Sequence, residues 1–145
     1  MQKLVELAKF ESLYAPESRT ATGTLYNSDG STGSGLDSKD FDEVTFIADV
    51  GAVAAGSTID ISIVASDDDN SDNAAAITDA SFTQITSAVT GTLRTLSVNC
   101  AGVSRYLWAK VVTAGTATAA VYGILAVLDQ VDKTPVSDPT PDASV

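Results

Sequence analysis

Between Glu43 and Ser66 the chain alternates apolar and polar positions. In EVTFIADVG (Glu43–Gly51), Val44, Phe46, Ala48 and Val50 fall on one side; Thr45, Ile47 and Asp49 fall on the other. In TIDISIVAS (Thr58–Ser66), Ile59, Ile61, Ile63 and Ala65 alternate with Asp60, Ser62 and Val64. Successive side chains of a strand point to opposite faces, so both stretches predict half-buried strands. GAVAAGS (Gly51–Ser57) is expected to join them as a hairpin with a loose turn. Further strands are predicted over Thr20–Tyr26, Ser81–Thr86, Thr92–Cys100, Ser104–Thr113 and Thr118–Leu128. Leu96, Val98 and Cys100 share an inner face, as do Leu107, Ala109 and Val111. The last strand is apolar on both faces, which predicts cover on both sides: a second sheet and something else, such as a neighbouring subunit.

Turn residues punctuate these segments. NSDGSTGSGLDSKD (Asn27–Asp40) is rich in Gly, Ser and Asp and reads as a loop. Short strands at regular spacing predict an all-β fold, a single β-sandwich. Periodicity does not choose between a jelly-roll and an immunoglobulin-like topology. Residues 1–18 carry only a weak apolar stripe and end near Pro16. A short helix and an extended arm are both compatible with them, and the arm is preferred. Residues 131–145 hold three of the four prolines and read as a flexible tail. The expected organisation is an arm over 1–18, a sandwich over 19–130 and a tail over 131–145.

Composition narrows the chemistry. The 145 residues include no histidine and one cysteine, Cys100. A Ser-His-Asp triad, a Cys-His pair and an internal disulfide are therefore excluded. The formal net charge of −11 disfavours nucleic acid, whose phosphates reward clustered Lys and Arg. Fifteen of the nineteen acidic residues are Asp, which favours turns over helices. The longest apolar run, Ala119–Leu128, is too short for a membrane-spanning helix. Charges at Glu6, Lys9 and Glu11 interrupt any signal-peptide core. The expectation is a soluble protein made in the cytoplasm, with no membrane or nucleic-acid partner and no cofactor.

SDDDNSDNAAA (Ser66–Ala76) has the look of a cation loop, with Asp67, Asp69 and Asp72 as the candidate ligands. Read from Asp68, however, the helix-loop-helix calcium pattern meets Asn73 where Gly is needed and Asp79 where a bidentate Glu is needed. A solvated acidic turn is the preferred reading. Asp37, Asp40, Asp42 and Glu43 likewise read as a turn and strand entry rather than a glycosidase pair. Cys100 reads as a small buried hydrophobe without an activating base. Arg105, Tyr106 and Trp108 fit either an interface or a two-sided core strand.

GLDSKDFDEVTFIADVGAV resembles the G-x-D-x-x-x-[FY]-x-x-V-x-F-x-x-x-V-G segment of small proteins from tailed-phage head modules. The resemblance is carried by Gly35, Asp37, Phe41, Val44, Phe46, Val50 and Gly51. SRYLWAKVVTAGTATAAVYGILAVL resembles their paired closing strands, through Arg105, Tyr106, Val111, Val112 and Leu128. The likeness covers roughly Gly35 to Pro135 and contains no catalytic signature. The acidic stretch Ser66–Ala76 departs from it, being longer and more acidic than the family's compact turn. Such proteins are capsid decoration, or cement, proteins. The resemblance implies a trimeric β-rich protein on the outer surface of an icosahedral head, clamping major capsid proteins. On that reading Leu4, Leu7, Phe10, Leu13 and Tyr14 anchor the arm on the capsid, and Tyr106, Trp108, Tyr122 and Ile124 form the subunit interface. A tail or baseplate accessory protein, or a carbohydrate-binding sandwich on the virion, is the alternative.

Overall fold

The alternating positions pair into two antiparallel sheets packed face to face. The computed structural model describes residues 8–19, 23–26, 34–89, 91–115 and 120–130. Its strands are β1 (Ala8–Arg19), β2 (Gly23–Tyr26), β3 (Leu36–Asp37), β4 (Glu43–Val53), β5 (Ser57–Ser66), β6 (Ala75–Ser81), β7 (Ile85–Thr86), β8 (Thr92–Asn99), β9 (Tyr106–Gly115) and β10 (Ala120–Asp129). The first sheet runs β1-β10-β4-β8. The second runs β2-β9-β5-β6, with β3 also on β9 and β7 also on β5. Taking β2 with β3, and β6 with β7, as one edge position each gives eight positions in jelly-roll order. The topology that periodicity leaves open is thereby decided.

The expected β4–β5 hairpin is corrected. These strands lie in different sheets, so Ala54–Gly56 carries the chain across the sandwich. The turn is closed by Ser57 N–H donating to the Ala54 carbonyl at 3.0 Å, with Gly56 at φ 81°. Each strand must still present one apolar face, so the alternation is the same whether the next strand lies beside it or opposite. The expected strand over Ser81–Thr86 is also redrawn, as β6 ending at Ser81 and a short β7 after it.

The core lies between the sheets. Val44, Phe46, Ala48 and Val50 of β4 face Ile59, Ile61 and Ile63 of β5 and Leu107, Ala109 and Val111 of β9, all essentially without exposure. Burying a Val, Leu, Ile or Phe side chain contributes roughly 1.5–3 kcal/mol before entropy is counted, so this face drives the fold.

The N-terminal arm is corrected over residues 8–18. Ala8–Arg19 is an edge strand of the first sheet, paired from Ala8↔Asp129 to Arg19↔Ala120. Its register shifts between Ser12 and Tyr14 and again between Tyr14 and Glu17. The first shift turns both Leu13 and Tyr14 inward, as a bulge does. Tyr14 then donates its hydroxyl to the Ala109 carbonyl at 2.9 Å, tying β1 to the opposite sheet. Its ring lies 5.9 Å from that of Tyr122. Leu13 and Tyr14, expected as anchors on a capsid, are thus buried inside the subunit. Leu4 and Leu7, with the tail over 131–145, lie outside the described residues.

Candidate functional site

Two surfaces carry large apolar side chains outside the inter-sheet core, on the outer faces of the two sheets. On the second sheet, Trp108 pairs with Val64 on the outward pleat, yet both are buried. The cover comes from the chain before β3. A Cβ at Gly35 would stand 2.7 Å from Trp108 Cζ2 and 2.8 Å from Tyr106 Cβ, so only glycine lets the backbone lie against the indole. Asp69, from the acidic stretch, accepts the Gly35 N–H and holds it there.

Asp37 and Arg105 complete this closure. Arg105 Nε and Nη2 donate to Asp37 Oδ1 and Oδ2 at 2.8 and 2.6 Å, a two-pronged ion pair. Ser38 donates both its N–H and its hydroxyl to the Arg105 carbonyl, at 2.9 and 2.7 Å. The guanidinium lies 4.9 Å from the centroid of the Tyr106 ring. The hydrogen bond from Arg105 lowers the Asp37 pKa to about 2, and Asp37 in turn raises that of Arg105. The Gly35–Asp37 and Arg105–Trp108 segments therefore close on one another.

The acidic stretch satisfies itself and its neighbour. Asp68 N–H donates to Ser66 Oγ at 3.2 Å, Asn73 Nδ2 to Asp68 Oδ2 at 3.0 Å, and Asp72 N–H to Asn70 Oδ1 at 3.0 Å. Asp67, Asp69 and Asp72 are not brought together as ligands: among the described residues, no group of three or more His, Cys, Asp or Glu is placed to hold a metal ion. Cys100 is half-buried against the core, and burial raises its thiol pKa, which weakens it as a nucleophile.

The subunit-interface assignment is corrected for three of its four residues. Tyr122 and Ile124 sit in the core, and Trp108 lies under the Gly35 segment. None has surface left for a neighbour. Tyr106 is half-buried, with its ring beside Trp108 and Arg105.

The outer face of the first sheet is open. The register places Phe10, Val127 and Thr45 in one row, Ser12, Leu125 and Ile47 in the next, and Gly123, Asp49 and Leu93 in a third. Phe10 is 44% and Leu93 65% exposed, and they are the exposed large hydrophobics among the described residues. Ile47, Val121, Leu125 and Val127 are half-buried. A groove of about 300 Å³ crosses the middle, lined by Tyr14, Pro16, Ile47, Leu93 and Leu125, with Asp49 at its edge. Pro16 of β1 forms one wall, and it can approach because Gly123 has no side chain: a Cβ there would meet Pro16 Cγ at 2.9 Å. The alternation had marked Ile47 and Asp49 as the outward side of β4. Phe10, expected from the sequence as a contact residue of the arm, is exposed here, and Leu93 could have been found by the alternation of its own strand. No protein-family model, curated protein or solved structure matches the chain.

Proposed function

We propose that this chain is a structural virion protein of a tailed phage. It seats on the outer surface of an icosahedral head as a cement protein and stabilises contacts between major capsid proteins. The observation that carries this reading is the open apolar face of the first sheet. Contiguous exposed apolar surface on a sandwich otherwise dressed in Asp, Ser and Thr is the mark of a protein-binding surface. The jelly-roll supports the reading as a rigid platform, although a fold alone does not name a function. The closed contact between the Gly35–Asp37 and Arg105–Trp108 segments supports it too, because the family resemblance rests on those residues. A trimer, which the resemblance implies, must use residues other than Trp108, Tyr122 and Ile124. The carbohydrate alternative needs a platform of exposed rings on which sugars stack; Tyr14, Trp108 and Tyr122 are buried, and Phe10 is the large exposed aromatic among the described residues.

Co-sedimentation tests the reading. Purified protein is mixed with expanded heads that lack it, with and without EDTA. Saturation at a fixed ratio to the major capsid protein in both buffers is expected. No binding in either buffer overturns the proposal. Loss in EDTA alone would return a cation to the acidic stretch.

A further inference from the structure

The open face of the first sheet has a charge pattern as well as an apolar one. The register that lines up Phe10, Ile47, Leu93 and Leu125 also puts Glu43 and Asp129 opposite each other at one end, and Asp49 between Gly123 and Leu93 toward the other. Asp49 and Asp129 are exposed. Among the residues whose side chains are described, no Lys or Arg shares this pleat. Lys9 and Arg94 stand on the opposite one, opposed to the inward-facing Leu128 and Ala48. The face is therefore an apolar stripe with carboxylates at both ends and, among the described side chains, no cation on its own pleat to neutralise them.

We infer that this face docks a different protein, through a surface whose apolar centre is fringed by Lys and Arg. The inference rests on the proposed function and identifies the side of the sandwich that meets the shell. A second copy of the chain is the wrong occupant. Laying this face on its own twin would bury Phe10 and Leu93 but bring like-charged carboxylates together, in a chain of net charge −11. A basic fringe instead pairs with Glu43, Asp49 and Asp129 while the apolar side chains supply the desolvated centre. Leu93 enters a recess of the partner, and an apolar side chain of the partner enters the groove between Pro16 and Leu93.

The test uses the full chain and three variants: Leu93→Ser, Asp49→Lys and Asp60→Lys. Asp60 faces outward from the second sheet, so Asp60→Lys makes the same charge change on the other side of the molecule. Leu93 and Asp49 are exposed, so both variants fold, which circular dichroism checks. Binding to expanded heads is read by co-sedimentation at two salt concentrations, and self-association by sedimentation velocity. The expected result is binding weakened about tenfold or more by Leu93→Ser and by Asp49→Lys. It is unchanged by Asp60→Lys, and the wild type binds less tightly at higher salt. If all three variants bind as the wild type does, the docking face is elsewhere while the cement reading stands. If the wild type does not bind, both fall. Self-association that Leu93→Ser abolishes would give the face to a second copy and overturn the inference.

Discussion

The two outer faces of this sandwich solve one problem differently. Each sheet presents large apolar side chains away from the core. The second sheet covers Trp108 with its own chain, using a glycine for close approach, an Asp69 contact to hold it and the Asp37–Arg105 pair to close it. The first sheet leaves Phe10 and Leu93 in water. Where a chain supplies its own lid, the apolar surface contributes to folding. Where it supplies none, that surface is kept for association. Substitutions that look alike on paper should therefore act on different equilibria.

The largest effect on stability belongs to the covered face. Trp108→Ala removes a fully buried ring, and urea denaturation should show a loss of about 3–5 kcal/mol. A midpoint within error of wild type would mean that the Gly35 segment does not pack on it. Next comes Tyr14→Phe, which deletes the one hydroxyl bridging the sheets to Ala109 and leaves that carbonyl without this donor. The expected loss is about 1–3 kcal/mol, again read from denaturation. Asp37→Asn should cost less, because the ion pair is largely exposed and water screens it. Its signature is in pH. Asp37 has a folded pKa of about 2 against an ordinary 3.8, so the pair's contribution is fully present above the ordinary value. It is lost as pH falls from there through about 2. The wild type should lose its advantage over Asp37→Asn across that window; a gap that stays constant would refute the assignment. Smallest is Leu93→Ser on the open face, expected to change stability by no more than about 0.5 kcal/mol. A large loss there would erase the distinction between the two faces.

The inward faces of β4, β5 and β9 were readable in advance, because a half-buried strand writes its alternation into the residues. Three things were not. Alternation names the residues that share a face but not the strand that lies alongside, so β4 and β5 looked like a hairpin. A bulge breaks the alternation at Leu13 and Tyr14, so an edge strand looked like an arm. Ala75 and Ala76 begin an exposed edge strand with almost no apolar signal, so the start of β6 looks like the end of the acidic turn. The site divides in the same way. Arg105, Tyr106 and Trp108 stood out by residue type, and Asp37 by its place in the family pattern. Their contact joins positions far apart in the chain, and no local pattern encodes it. Asp69 was noticed as a candidate for a cation, but its partner is a backbone N–H.

The pairing of Ala8 with Asp129 has a consequence in time as well as in space. β1 is the first described strand to be synthesised, and its sheet neighbour among the described strands is the last of them. Until the ribosome has released β10, Leu13 and Tyr14 have no sheet to close against, and β4 lacks the neighbour that separates it from the edge. Contacts this distant along the chain slow folding, because a long loop must close before it is rewarded. The nascent chain therefore carries an unpaired, partly apolar strand until β10 has emerged. Pro16 and the charges at Lys9, Glu11 and Glu17 on that strand would restrain it from pairing with strangers while it waits.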